Sequence, residues 1–130
     1  MSSNHEFRNP LQVARGIGSG KTGTGHFWWQ RVTAIFLIPL MAWVVGLLVS
    51  FVGADLATVQ MAIARPWNAI ALAFTAILLF WHAKLGIQVV IEDYVHTRAV
   101  EIALQLIVTL ACALGALASL YAIGRIALTA

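Results

Sequence analysis

Three long apolar stretches limit what this chain can fold into more than any other feature. The stretches Val32–Ala54, Pro66–Ala83 and Ile102–Gly124 contain no Asp, Glu, Lys or Arg. After Lys84, the second stretch continues with apolar residues to Ile91. A helix needs about 20 apolar residues to cross a bilayer core. Lipid offers no partners to free backbone groups, so spanning segments must be helical. The sequence predicts an all-α integral membrane protein with transmembrane helices at about 27–52, 67–91 and 99–126.

The composition excludes a soluble globular domain. The chain is 61% hydrophobic and only 10% charged, whereas an average soluble domain carries about 25% charged residues. So few charges cannot cover a water-facing surface. The length of 130 residues fits one domain. We expect a membrane domain over 27–130 and a flexible, basic, glycine-rich tail over 1–26.

The distribution of basic residues predicts the orientation. The first quarter of the chain carries Arg8, Arg15, Lys21 and Arg31, whereas the later connections and the C-terminal end carry one arginine each. Cytoplasmic segments are enriched in Lys and Arg. The N-terminus is therefore expected in the cytoplasm, and three spans then put the C-terminus on the periplasmic side.

The stretch "RGIGSGKT", residues 15–22, is similar to a phosphate-binding P-loop. That motif requires a glycine, four residues, and then Gly-Lys-Ser/Thr. Gly20, Lys21 and Thr22 fit its end, but Arg15 occupies the place of the first glycine. A membrane span follows, and no buried strand precedes. We therefore expect a basic tail that touches lipid headgroups or a peripheral protein, with no nucleotide and no nucleic acid as partner.

Two ionisable residues lie inside the second span, His82 and Lys84. Such residues are functional by default. At about 100° per residue, His82 shares a stripe with Gly86, Val89 and Asp93, while Lys84 points about 200° away. A glycine one turn from a histidine suits a haem, because imidazole ligates iron and glycine admits the porphyrin. The alternative stays open: His82 only forms a hydrogen bond across helices, and Gly86 only allows close packing.

A polar cluster, "IEDYVHTR" at residues 91–98, follows the second span. Antiparallel packing of the first two spans is expected to bring Arg31 and Tyr94 to similar depth. A phenol and a guanidinium there would hold a quinone carbonyl or a haem propionate. The alternative is an ordinary interfacial loop, with Arg31 on a lipid phosphate. Lys84 is expected to be mainly structural and to extend toward the cytoplasmic headgroups.

Two motifs resemble the hydrophobic membrane-anchor subunit of succinate dehydrogenase (succinate:quinone oxidoreductase). They are "WWQRVTAI" and the more specific "HAKLGIQVVIEDYVH", and with the three-span layout the resemblance covers residues 26–126. The glycine-rich tail is similar to that of alphaproteobacterial members. Lys84 departs from the bulky apolar residue of some relatives.

The resemblance implies roles for five residues. In this family two anchor subunits bind one haem b between them in a helical bundle. His82 corresponds to an axial ligand of the haem iron, and the second anchor subunit supplies the other. Gly86 would pack on the haem, and Arg31 would lie near its propionates or the quinone pocket. Tyr94 would donate a hydrogen bond to ubiquinone, with Asp93 supporting that site.

The resemblance also implies a non-catalytic subunit of a larger enzyme. Its partners would be the lipid bilayer, a second anchor subunit of the cytochrome b556 type, an iron–sulfur subunit and the flavoprotein subunit that oxidises succinate. Electrons would pass to ubiquinone in the tricarboxylic acid cycle and respiratory chain, at the bacterial inner membrane. The alternatives are an anchor of fumarate reductase and a haem-free scaffold or assembly protein. A small transporter is disfavoured because His82 and Lys84 face apart.

Overall fold

A computed structural model describes residues 23–130, which form four helices. They are α1 (Gly23–Ser50), α2 (Leu56–Ala64), α3 (Pro66–Tyr94) and α4 (Arg98–Thr129). All but α2 are long and apolar enough to cross a membrane. The prediction of an all-α protein with three spans is confirmed at this level. The P-loop-like stretch, and most of the predicted tail, lie outside the described residues.

The helices extend beyond the apolar stretches that predicted them. α1 begins at Gly23 instead of about Phe27, α3 continues to Tyr94, and α4 continues to Thr129. Hydropathy marks only the part of a helix that lipid surrounds, whereas backbone hydrogen bonding continues into the headgroup region. The added residues at the start of α1, Gly23–His26, and at the end of α3, Glu92–Tyr94, lack the apolar character of the predicted spans.

The short helix α2 was not predicted. The chain leaves α1 through a turn in which Gly53 has a φ of 78°, a backbone conformation that favours glycine. Asp55 then caps α2 by accepting the backbone N–H of Thr58 at 3.1 Å. Asn68, in the first turn of α3, donates its side-chain amide to the Ala62 carbonyl at 2.7 Å. These contacts tie α2 to the end of the helix bundle.

The α2 cap gives a pH-dependent prediction. Hydrogen bonds from the side chain and backbone of Thr58 hold the pKa of Asp55 below its usual value. The cap is therefore complete above the ordinary carboxyl pKa and weakens as the pH falls through the lowered value. Asp55→Ala should speed amide hydrogen exchange in the first turn of α2 at neutral pH, and Asp55→Asn should not. Equal exchange in Asp55→Ala and the wild type would contradict this role.

The three long helices form a row with α3 in the middle. α3 packs on both α1 and α4, and no contact joins α1 to α4 within residues 23–130. Trp29 stacks on Trp81 at 5.4 Å between ring centroids, and Phe36 meets Phe74 edge-on at 6.4 Å. These two pairs show that α1 and α3 are antiparallel neighbours. They also show which residues of α1 lie at the same depth as which residues of α3.

Few side chains are fully enclosed by this row. The buried ones among the described residues are Thr33, Leu37, Thr75, Leu85 and Ile91. Large apolar side chains along all three long helices are exposed instead. A row of helices with apolar outer surfaces requires lipid or other membrane helices to cover it. The row also gives α3 two different neighbours, so its two ionisable residues meet different surroundings.

Candidate functional site

His82 lies within α3 and faces α1. Its Nδ1 is 2.8 Å from the Thr33 hydroxyl oxygen, and its Nε2 is 3.5 Å from the side-chain amide nitrogen of Gln30. Both ring nitrogens are therefore directed toward polar groups of the same neighbouring helix. The imidazole is half-buried and faces the neighbouring helix, as ionisable residues of membrane spans usually do.

Thr33 is the most enclosed polar residue of this interface, with 1% of its surface exposed. Its hydroxyl oxygen also lies 2.8 Å from the carbonyl oxygen of Trp29 and 3.1 Å from that of Gln30. Neither Thr33 nor Gln30 was predicted as a site residue. The sequence could have indicated them, because His26, Gln30, Thr33 and Leu37 follow the spacing of one helix face.

Gly86 lies one turn from His82, as the spacing predicts. A Cβ at Gly86 would lie 3.6 Å from the amide nitrogen of Gln30, which is ordinary van der Waals contact. In the isolated chain, the space beside the imidazole therefore holds the Gln30 side chain. The structure shows that α1 approaches α3 closely at Gly86. The packing of Gly86 against a haem stays a prediction.

Two buried polar atoms on the same stripe of α1 lack partners. Gln30 Oε1 and His26 Nε2 are enclosed and make no hydrogen bond with the described residues. A buried polar atom without a partner costs about 1–3 kcal/mol. The one hydrogen bond of the Gln30 amide among the described residues is therefore its long contact to His82.

Arg31 lies near the depth of His82, far from Tyr94. Trp29 is level with Trp81, and Tyr94 lies about 20 Å farther along α3 at 1.5 Å per residue. The prediction that Arg31 and Tyr94 share a depth is wrong, because α1 begins at Gly23 and so continues well past Arg31 toward the end of α3 where Tyr94 lies. Arg31 is exposed and its guanidinium lies 4.9 Å from the ring centroid of Phe27.

Tyr94 and Asp93 form the last turn of α3, where the helix ends. Tyr94 is 79% exposed, and Asp93 is exposed as well. Along the axis, Tyr94 lies about 18 Å from His82. The structure brings neither residue into contact with His82 or Arg31. Their phenol and carboxylate are open to a molecule or subunit at this end of the bundle.

Lys84 faces α4, which confirms that it points away from His82. It lines a cavity of about 340 Å³ with apolar residues of both helices and a smaller polar cavity of about 140 Å³ with Gln88 and Gln105. Beyond the polar cavity, Glu92 accepts a hydrogen bond from Gln88 at 2.8 Å. This polar path toward the helix ends agrees with a lysine that extends toward the headgroups.

Within residues 23–130, no three His, Cys, Asp or Glu side chains converge as a metal site.

The fold and the site define an integral membrane subunit with an intramembrane histidine and a polar end. The chain belongs to the succinate dehydrogenase/fumarate reductase transmembrane subunit family, which matches residues 5–118.

Curated relatives are similar over most of their length. The succinate dehydrogenase hydrophobic membrane anchor subunit of Rickettsia conorii is 32% identical over 83% of this chain and 86% of the relative. The corresponding subunit of Rickettsia bellii is 36% identical over 70% and 73%. The succinate dehydrogenase membrane anchor subunit of Reclinomonas americana is 38% identical over 63% and 73%. No solved structure matches the chain significantly.

Proposed function

We propose that this chain is the membrane anchor of a succinate dehydrogenase, in which it shares a haem b and contributes to the ubiquinone-reduction site. The observation that carries the proposal is His82, a half-buried histidine held between two apolar helices of spanning length. The family and the names of the relatives support the enzyme class. The chain itself is the non-catalytic part, since succinate oxidation belongs to the flavoprotein subunit.

The residues around His82 fit a haem. The Nε2 atom has only the long contact to Gln30, whose own carbonyl oxygen lacks a partner. A movement of that amide would free Nε2, and Gly86 leaves no Cβ beside it. His82 would then hold the haem iron together with a ligand from the other anchor subunit. When bound, the haem would supply a one-electron carrier.

Arg31 is better suited to the haem than to the quinone. Its depth is that of His82, whereas Tyr94 lies about 20 Å away along the bundle. Its guanidinium is on an exposed face of α1, where a neighbouring chain and a propionate can reach it. A guanidinium pairs well with a carboxylate, and such a pair would remove the cost of an unpaired cation in lipid.

The quinone site would lie at the end of α3. Reduction of ubiquinone to ubiquinol takes two electrons, from the iron–sulfur subunit, and two protons, from the cytoplasm. The Tyr94 phenol would donate a hydrogen bond to a quinone carbonyl oxygen and stabilise the negative charge that develops there. Asp93 is exposed beside it and would carry protons between water and the quinone.

The charge distribution supports one orientation. The basic segment before α1 would lie in the cytoplasm, and α4 would end on the periplasmic side of a bacterial inner membrane. This orientation puts Tyr94 at the cytoplasmic surface, beside the iron–sulfur and flavoprotein subunits. The second anchor subunit would cover part of the exposed apolar surface of the row.

Purification through a tag on this chain tests the proposal. The expected result is co-purification of a flavoprotein, an iron–sulfur protein and a second membrane protein, with succinate-dependent ubiquinone reduction and a b-type reduced-minus-oxidised spectrum. Faster fumarate reduction with menaquinol would identify a fumarate reductase anchor instead. An intact complex without haem would favour the haem-free scaffold.

Tyr94→Phe tests the quinone site. Loss of one hydrogen bond to a developing charge, worth about 1.5–3 kcal/mol, should lower kcat/KM for ubiquinone about 10- to 100-fold. Steady-state kinetics with varied ubiquinone measure it. Tyr121→Phe is the matched control, because Tyr121 is also exposed (71%) but lies near the C-terminal end of α4. Equal kinetics in the two variants would remove Tyr94 from the site.

A further inference from the structure

The hydroxyl of Thr33 has one proton and three close neighbours. Two are the carbonyl oxygens of Trp29 and Gln30, at 2.8 and 3.1 Å, and the third is His82 Nδ1 at 2.8 Å. Carbonyl oxygens only accept hydrogen bonds, whereas a neutral imidazole nitrogen either donates or accepts. If the hydroxyl donated to Nδ1, its oxygen lone pairs would face two carbonyl oxygens at hydrogen-bond distance. The hydroxyl proton therefore goes to a carbonyl.

This arrangement fixes the tautomer of His82. With its proton directed to the backbone, the hydroxyl oxygen can only accept from the imidazole, so Nδ1 carries the ring proton. Nε2 is then the nitrogen with the free lone pair, which is the form that ligates iron. Thr33 is 1% exposed, so water does not compete for its oxygen.

We propose that Thr33 is a positioning residue that selects the iron-binding tautomer of His82 and tunes its donor strength. The inference rests on the proposed function, since it concerns His82 as a haem ligand. Metal-binding histidines usually donate their second N–H to an oxygen, which orients the ring and makes the ligand more basic. A more basic ligand stabilises ferric over ferrous iron, so Thr33 would lower the midpoint potential of the haem.

Three variants separate the hydroxyl from the shape of the side chain. Thr33→Val keeps the branched shape and removes the hydroxyl, Thr33→Ser keeps the hydroxyl, and Thr33→Ala removes it without adding bulk. The matched control is Thr75→Val. Thr75 is 5% exposed and donates to the Ala71 carbonyl at 2.7 Å, so it has the same kind of backbone bond as Thr33 but no hydrogen bond to a histidine among the described residues.

The measurements are made on the purified complex. Thr33→Val and Thr33→Ala should lose haem about tenfold faster than the wild type, within the 10- to 100-fold typical of such partners. Their haem midpoint potential should rise, and the g-values of the ferric low-spin signal should shift. Thr33→Ser and Thr75→Val should match the wild type in all three.

The outcomes distinguish this inference from the proposed function. A wild-type complex without haem would overturn the proposed function itself. If the wild type holds haem through His82, unchanged haem loss and potential in Thr33→Val would overturn the role of Thr33 alone. Should Thr33→Val fail to assemble, Thr33→Ala and Thr33→Ser decide: equal potentials in these two would show that the hydroxyl has no effect.

Discussion

Replacing His82 by alanine is expected to abolish the b-type haem spectrum of the purified complex. The change removes the nitrogen that would hold the iron. It also leaves the buried Thr33 hydroxyl without its imidazole partner. A reduced-minus-oxidised difference spectrum, normalised to the amount of flavoprotein, measures the loss.

Lys84→Ala is the control for that experiment. Lys84 lies two residues farther along the same helix, is also an ionisable group within the span, and faces α4 instead of α1. Its replacement should leave the haem spectrum at wild-type intensity. A His82→Ala complex with full haem content would show that the axial ligand lies elsewhere. Loss of haem in both variants would indicate a general weakening of the bundle instead of lost ligation.

Replacing Gly115 by alanine is expected to destabilise the α3–α4 interface. A Cβ at Gly115 would overlap Phe80 Cε1 and lie 2.6 Å from Phe80 Cζ. Overpacking of this kind typically costs about 1–3 kcal/mol. Because α4 has its main packing partner in α3, the complex should survive graded heating less well. Size-exclusion chromatography after each heating step measures the intact fraction.

Two comparisons make the Gly115 experiment specific. Gly124→Ala, in the same helix, meets nothing within 4 Å, so its heat resistance should equal that of the wild type. Adding Phe80→Leu to Gly115→Ala should restore part of the lost stability, because the smaller side chain makes room for the new methyl group. If Gly115→Ala and Gly124→Ala behave alike, the close contact with Phe80 does not limit this interface.

The sequence was sufficient for the three spans because each has the length and apolarity that a bilayer requires. It was insufficient for α2, since nine residues, Leu56–Ala64, are too few to give a spanning signal. Their helix depends on the Asp55 cap and on packing against α3 and α4.

The candidate site was partly predictable from the sequence, because helical periodicity relates residues within one helix. His82 and Gly86 share a stripe within one helix, and local periodicity describes such a pair. The contact of His82 with Thr33 depends on how far one helix is shifted along another, which no local pattern contains. Because that shift is not encoded locally, Arg31 and Tyr94 were expected at the same depth, whereas they lie about 20 Å apart along the bundle.

The row of helices also keeps α1 and α4 apart by the thickness of α3. α1 touches only α3 within the described residues, and α4 has no contact with α1, while a helix with its side chains is about 10 Å thick. Perturbations at that separation usually have additive free energies. Thr33 on α1 and Gly115 on α4 lie on opposite sides of α3, so substitutions at these two positions are expected to have additive effects on the stability of the bundle.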